Sequence, residues 1–339
     1  MSNPEPRAAG EASVGAATGS PAPRTAPAPA GPPVTATPTR LAAGLAFSLG
    51  SYVLWGFLPV YFLVLAPTGA FEIVAYRILF SLAFCAILLT VTRGWGRLIA
   101  IARQPRILLT LAVAGVFIYV NWQVFVLAVT SNRVVEGALG YFINPLFTVL
   151  LGVVLLRERL RPAQWVAVGI SAVAIVIIAV GYGSFPWIAL ALTLSFGLYG
   201  FIKKRVGGRV DALSGLALET AWLTPVAVVQ LIVVATSSGL TLAGHGPVHI
   251  VLVVLVGAAT GIPLLLFAAA ASRLPLIAIG LTQYLTPVLQ FLLGVLILGE
   301  AMSTTRWIGF VLVWVALIVL TVDLVRAARS QRRAFRSAA

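Results

Sequence analysis

The chain has 339 residues, 60% of them hydrophobic and 9% charged, against about a quarter charged in an ordinary soluble domain. Its 23 basic and 9 acidic side chains cannot cover a water-soluble globule of this size, which excludes that class. The net charge of +14 would point to nucleic acid on a soluble surface, but the basic residues sit between apolar runs and at the chain ends, where membrane proteins carry their topology signal.

Residues 1–40 hold 9 of the 20 prolines among Ala, Gly, Ser and Thr, and they lack the apolar surface that would offset the entropy of ordering, so they read as a disordered cytoplasmic tail. No apolar stretch of a secretory signal occurs there, and Glu5, Glu11 and the prolines do not suit a transit peptide. Ten apolar runs follow, at 42–63, 71–91, 107–129, 135–156, 163–182, 186–202, 212–235, 250–271, 275–298 and 306–325. A helix of about 20 residues crosses a hydrocarbon layer roughly 30 Å thick. An all-α membrane protein of ten transmembrane helices is therefore predicted, with a basic tail at 326–339.

With the N-terminus placed inside, 20 basic residues fall on the cytoplasmic side, two outside (Arg133 and Arg306) and one, Arg77, within a span. Basic segments resist translocation, so both termini are expected in the cytoplasm of a multi-pass plasma membrane protein. The excess of 21 Arg over 2 Lys fits a GC-rich bacterial genome. The single cysteine, Cys85, lies in an apolar run and excludes an internal disulfide or a Cys-based metal site.

The chain repeats itself at an offset of 142 residues. Asn144-Pro145-Leu146-Phe147 lies over Thr286-Pro287-Val288-Leu289, Gly152 over Gly294, Glu158 over Glu300 and Trp165 over Trp307. Each copy holds five spans (41–182 and 183–325), an odd number, so the second copy enters the membrane upside down. The turn Arg157-Glu158-Arg159 has basic residues that its copy Gly299-Glu300-Ala301 lacks, as opposite sides would require. Two inverted five-helix repeats are an architecture of secondary transporters.

The run Glu136-Gly137-Ala138-Leu139-Gly140-Tyr141-Phe142-Ile143-Asn144-Pro145-Leu146, with Arg157-Glu158-Arg159-Leu160, the Asn121-Trp122 pair and Glu219-Thr220-Ala221-Trp222-Leu223-Thr224-Pro225, resembles the RarD branch of the EamA, drug/metabolite transporter superfamily. The resemblance covers about 41–325. It implies a ten-helix permease of the bacterial inner membrane that exports or exchanges small metabolites or drugs. The family's usual Gly-Glu pair stands at Gly299-Glu300, whereas after the fourth span it reads Arg157-Glu158.

Ionisable groups inside apolar spans are costly unless paired or facing water. Glu219, before Pro225 in the seventh span, reads either as a carboxylate for a substrate cation or coupling proton, or as a structural partner of Arg77 or a hydroxyl. Glu72 and Arg77 lie about 140° apart around a helix and do not form a same-face pair. Glu72 suits the helix dipole, and Arg77 needs a carboxylate or carbonyls from another helix, for which contact with Glu219 across the repeats is expected. Glu136, Glu158 and Glu300 read as helix-end structure.

Tyr141 and Asn144 before Pro145, and Gln283, Tyr284 and Thr286 before Pro287, place polar groups beside proline-freed carbonyls in both halves, the pattern of a transporter site. Trp55, Asn121, Trp122, Gln123 and Trp222 would add stacking and hydrogen bonds, or serve packing and the interfacial belt. His245 and His249 flank Pro247, which is expected to prevent the regular helix an i,i+4 metal pair needs. The segment Gly257–Gly261 is a small-residue contact, either within the chain or with a second copy in a homodimer.

No Gly-x-x-x-x-Gly-Lys-Ser/Thr, His-Glu-x-x-His or Gly-x-Ser-x-Gly pattern occurs, so no cofactor, metal or nucleotide is expected and the chain is read as a non-enzyme. A permease for a small-molecule substrate, with a coupling proton or ion and a lipid bilayer as surroundings, is the leading reading. A membrane-embedded enzyme and a membrane sensor or scaffold are the alternatives.

Overall fold

A computed structural model describes residues 38–156, 160–182, 185–206, 208–271, 273–274, 279 and 282–337. The described residues are helical, without a strand. The helices are α1 (Pro38–Val64), α2 (Ala70–Val91), α3 (Trp95–Ala102), α4 (Pro105–Thr130), α5 (Val134–Leu156), α6 (Pro162–Tyr182), α7 (Trp187–Val206), α8 (Ala212–Ser237), α9 (Gly246–Ala271), α10 (Leu285–Leu292, continued by a π turn over Leu293–Ile297) and α11 (Thr304–Ser337). Eight of them are long and apolar enough to cross a membrane, and α7 and α10 are shorter apolar helices. A helical span keeps its backbone hydrogen bonds within itself, which a hydrocarbon solvent demands.

The helix starts follow local chemistry. Pro105 and Pro162 are first residues of their helices, where the missing N–H costs nothing. The Asp211 carboxylate accepts from the Ser214 amide at 3.0 Å and caps α8. The ends of α2 and α4 turn off through left-handed residues, Arg93 and Asn132.

Several expected boundaries move. The basic segment after α2 contains the short helix α3, whose Ile101 is buried beside Ile107, Leu111, Val206 and Leu218. The helix α9 begins at Gly246, because Pro247 in its first turn opens the helix rather than preventing it. The helix α7 runs four residues beyond the expected end of its span, which takes Lys203 out of the loop. The helix α11 runs to Ser337, so much of the expected tail continues a helix. Residues 1–37, the Arg157-Glu158-Arg159 turn with its candidate Glu158, and the start of the ninth span at 275–278 lie outside the described residues.

The helices pack in pairs: α2 on α8, α6 on α11, α5 on α10, α4 on α7 as α1 is on α9, α5 on α7 as α1 is on α10, and α2 on α9 as α4 is on α8. One buried apolar cluster joins α1, α2, α4, α7, α8 and α9, and a second joins α5, α6, α10 and α11. Large apolar side chains such as Ile87, Val180, Ile232 and Ile318 face outward, as they do on a surface solvated by lipid rather than water.

Candidate functional site

The helices α2 and α8 each carry an ionisable side chain deep into the interior. Arg77 lies seven residues beyond the first residue of α2, and Glu219 seven beyond the first of α8, about 10 Å along each axis. The two residues are themselves 142 positions apart, the offset of the sequence repeat. They do not meet.

Arg77 is 4% exposed. Its Nε donates to Thr260 Oγ1 of α9 at 3.0 Å. The guanidinium carbon lies 4.2 Å from the ring centre of Trp122 on α4 and 5.5 Å from that of Phe62 on α1. Nη1 is buried and has no hydrogen-bond partner among the described residues.

Glu219 is 1% exposed. It accepts from Lys203 Nζ at 2.7 Å and from the Tyr199 hydroxyl at 3.2 Å, so the expected contact with Arg77 is replaced by an ion pair with α7. Tyr199 and Lys203 are four apart and share one helix face, and that face is turned to α8. The i,i+4 spacing was visible in the sequence. What hid the lysine was its place one residue past the expected end of the span.

Aromatic rings connect the two charges. Ring centres are 6.3 Å apart for Phe62 and Phe125, 5.6 Å for Phe125 and Tyr141, 5.8 Å for Tyr141 and Phe196, and 6.2 Å for Phe196 and Tyr199. Along this path the Tyr141 hydroxyl donates to Asn121 Oδ1 at 3.0 Å, and Asn121 Nδ2 donates to Ser195 Oγ at 3.2 Å. Arg77, Asn121, Trp122, Tyr141 and Glu219 thus belong to one buried group.

The EamA-like transporter profile matches residues 42–180. The RarD protein of Streptomyces exfoliatus is 46% identical over 296 residues, 87% of this chain and 93% of that one. RarD of Escherichia coli K12 is 37% identical over 287 residues, 84% and 96% of the two chains. The chain belongs to the EamA-like transporter family. It is a RarD-like permease, a multi-pass membrane transporter whose relatives are bacterial. The chloramphenicol-sensitive protein RarD of Pseudomonas aeruginosa is 30% identical over 294 residues, 86% and 97% of the two chains. A solved crystal structure shares the fold, with a TM-score of 0.55 at 22% identity over 82% of this chain and 97% of that one.

Other candidates in this EamA permease lie apart from the buried group. Trp222 is 49% exposed and is turned to the outer surface of α8. Trp55 packs with Tyr52 and Phe267, and its carbonyl accepts from Gln290. Gln123 accepts from Gln230 of α8 at 2.7 Å. Asn144 Oδ1 is buried without a partner among the described residues, against α7 at Gly197. Pro145 and Pro225 lie inside helices that run through them. Gln283 and Tyr284 form a turn, and α10 starts only at Leu285. Pro287 cannot donate to the carbonyl four residues earlier, that of Gln283, and a turn precedes α10 there, whereas α5 runs unbroken through Pro145. Tyr284 faces Trp314 and Thr321 across a cleft of about 290 Å³ beside α11.

Three further carboxylates, Glu72, Glu136 and Glu300, hold backbone at chain reversals. Glu72 accepts from the amide and hydroxyl of Thr241, at 2.8 and 3.1 Å. Glu136 pairs with Arg133 at 2.5 Å and accepts from the Ile188 amide at 3.2 Å. Glu300 follows left-handed Gly299 and accepts from the amides of Val134 and Val135, at 2.5 and 3.1 Å, capping α5 from the other half of the chain. Burial holds the Glu300 carboxyl above the ordinary glutamate value, against the pull of those amides and of Arg306. His249 bonds Thr68 at 2.9 Å and His245 the Thr241 carbonyl at 3.1 Å. No cluster of three metal-ligating side chains occurs among the described residues.

Proposed function

We propose that this permease is a secondary transporter that moves small metabolites or drugs across the bacterial inner membrane by alternating access, exporting or exchanging them. Ten helices form two inverted five-helix repeats, 41–182 and 183–325, with both termini cytoplasmic. The observation that carries this reading is the matched placement of Arg77 and Glu219, buried at the same depth of α2 and α8 and 142 residues apart. Helix starts at Ala70 and Ala212, and at Pro162 and Thr304, keep the same offset. The packing pairs also map onto themselves when the halves are exchanged, as α4 on α7 becomes α9 on α1 and α2 on α9 becomes α8 on α4. A structure with that exchange symmetry has two equivalent arrangements, each open to one side, which is what inverted repeats supply. The buried group between Arg77 and Glu219 is the substrate path, and Glu219 with Lys203 is the candidate for coupling to a proton or ion.

Counterflow in proteoliposomes tests the reading. Vesicles preloaded with an unlabelled solute, drawn from a panel of metabolites with chloramphenicol included, should take up the same solute in labelled form transiently above equilibrium. Absence of counterflow for every solute, or recovery of the label as a new chemical species, overturns it.

A further inference from the structure

All six acidic side chains among the described residues of this membrane domain are engaged away from Arg77. Glu72 holds Thr241, Glu136 pairs with Arg133, Asp211 caps α8, Glu219 pairs with Lys203, Glu300 caps α5, and Asp323 takes Arg161. Arg77 therefore has a full positive charge at 4% exposure with no described carboxylate to balance it. An unbalanced charge in a low-dielectric interior costs several kcal/mol, and an ionisable group held there by default marks a functional site.

The guanidinium is also held in a fixed pose. Thr260 takes Nε while its own hydroxyl is anchored on the Val256 carbonyl at 2.9 Å. Trp122 covers one face of the plane, and cation–π contact fixes orientation as well as offsetting part of the desolvation. What this leaves unengaged is Nη1, a donor of the kind that arginine presents to carboxylates.

We infer that Arg77 is the anion-binding group of the substrate path, and that the transported solute is an organic monoanion whose carboxylate pairs with the Nη edge while its apolar body lies along the aromatic rings. This rests on the transporter reading above. The charge inventory selects a single negative charge. Lys203 and Glu219 neutralise each other, so Arg77 leaves the buried group one charge positive and a monoanion restores neutrality, whereas a phosphate dianion would leave an excess negative charge. The guanidinium is enclosed by α1, α2, α4 and α9, through Phe62, Arg77, Trp122 and Thr260. Parting α9 from α1 and α2, the cross-half contacts of the proposed repeats, is the motion that would admit the carboxylate.

Binding is measured on the purified full-length chain in lipid nanodiscs by thermal shift, with benzoate, phenylacetate and hexanoate as probes against benzamide, phenylacetamide, hexanamide and sodium chloride at equal concentration. At least one carboxylate should raise the Tm by several degrees beyond its amide and beyond chloride. Arg77→Gln should abolish the difference, and Arg77→Lys, which keeps the charge without the planar fork, should weaken carboxylate binding by roughly tenfold. The inference is overturned if no carboxylate exceeds its amide in the parent protein, if chloride does as well as the carboxylates, or if the preference survives Arg77→Gln. Should Arg77→Gln not fold, unchanged carboxylate affinity in Arg77→Lys overturns it instead. Because binding is read at equilibrium, carboxylate binding without counterflow would sink transport and leave only the anion-binding role of Arg77 standing. Counterflow of neutral or cationic solutes alone would do the reverse.

Discussion

Glu219 and Lys203 show how unequal two members of a buried pair can be. The carboxylate is 1% exposed and the lysine 26%, and a lysine stem can carry its ammonium toward the membrane interface when its partner is lost. Removing the cation leaves the carboxylate with only the Tyr199 hydroxyl. Lys203→Met should therefore destabilise the protein by about 3–5 kcal/mol, and Glu219→Gln by clearly less. The exchanged pair Lys203→Glu with Glu219→Lys should recover part of the loss. Unfolding in detergent micelles, analysed as a double-mutant cycle, checks the order, and equal losses for both single changes would mean the lysine is as confined as the carboxylate.

At Glu300 the relevant groups are the Val134 and Val135 amides, Arg306 and Glu136. Glu300→Ala uncaps α5 and should cost about 1 kcal/mol. Since burial raises the folded carboxyl above its unfolded value, the folded state holds a proton where the unfolded state has released it, and stability falls as pH rises through that window. Glu300→Gln should flatten that slope in melting temperatures measured from pH 4 to 7. The sequence did mark Arg77, Glu219, Asn121, Trp122 and Tyr141, because polar groups in apolar runs stand out. It paired Arg77 with Glu219 wrongly and left Trp222 open between a site and the membrane surface, because a helix apolar on all sides does not reveal which face meets lipid and which meets protein.

Among the elements, α9 lies so close to α2 that a side-chain carbon at Gly257 would overlap the Phe80 carbonyl, and one at Gly261 would overlap the Phe84 ring. The small-residue stripe, read as a contact within the chain with a second copy as the alternative, is thus occupied by α2. Gly257→Ala forces two backbones apart, and it also shifts Thr260, one turn on, from under Arg77. It should cost at least about 2 kcal/mol and reduce counterflow. Gly169→Ala is the control. A side chain at Gly169, inside α6, meets nothing within 4 Å, so the change should be neutral or stabilise by up to about 1 kcal/mol through helix propensity. Thermal unfolding of both variants in nanodiscs separates backbone crowding from a general dislike of substitution. The starts of α2, α6 and α8 were legible because hydropathy and end-forming residues agree there. The α9 start was not, since a proline that breaks a helix and one that opens it look alike until the preceding turn is known. Nor was α3, a helix of eight residues set in a segment whose Arg93, Arg97, Arg103 and Arg106 read as a basic loop.

For the whole molecule, orientation and parity are linked. In the proposed topology 20 of 23 basic residues fall on one side, and the proposed inverted repeats require five crossings in each half. Between Asn132, after α4, and Gly244, before α9, lie α5, α6, α7 and α8. Four crossings return the chain to the side it left, whereas a single crossing separates Gln104 from Asn132. The natural protein helps the experiment, because its one cysteine, Cys85, is fully buried and should stay unlabelled by a membrane-impermeant maleimide. Single cysteines at Asn132 and Gly244 should then react on intact cells, and those at Gln104 and Ala339 only after permeabilisation. Labelling of Asn132 and Gly244 from opposite sides would mean that α7, the shorter helix between them, does not cross, and with it the inverted relation of the halves would fail. Labelling of all four in the reverse sense would keep the inverted repeats and invert only the orientation read from the charges.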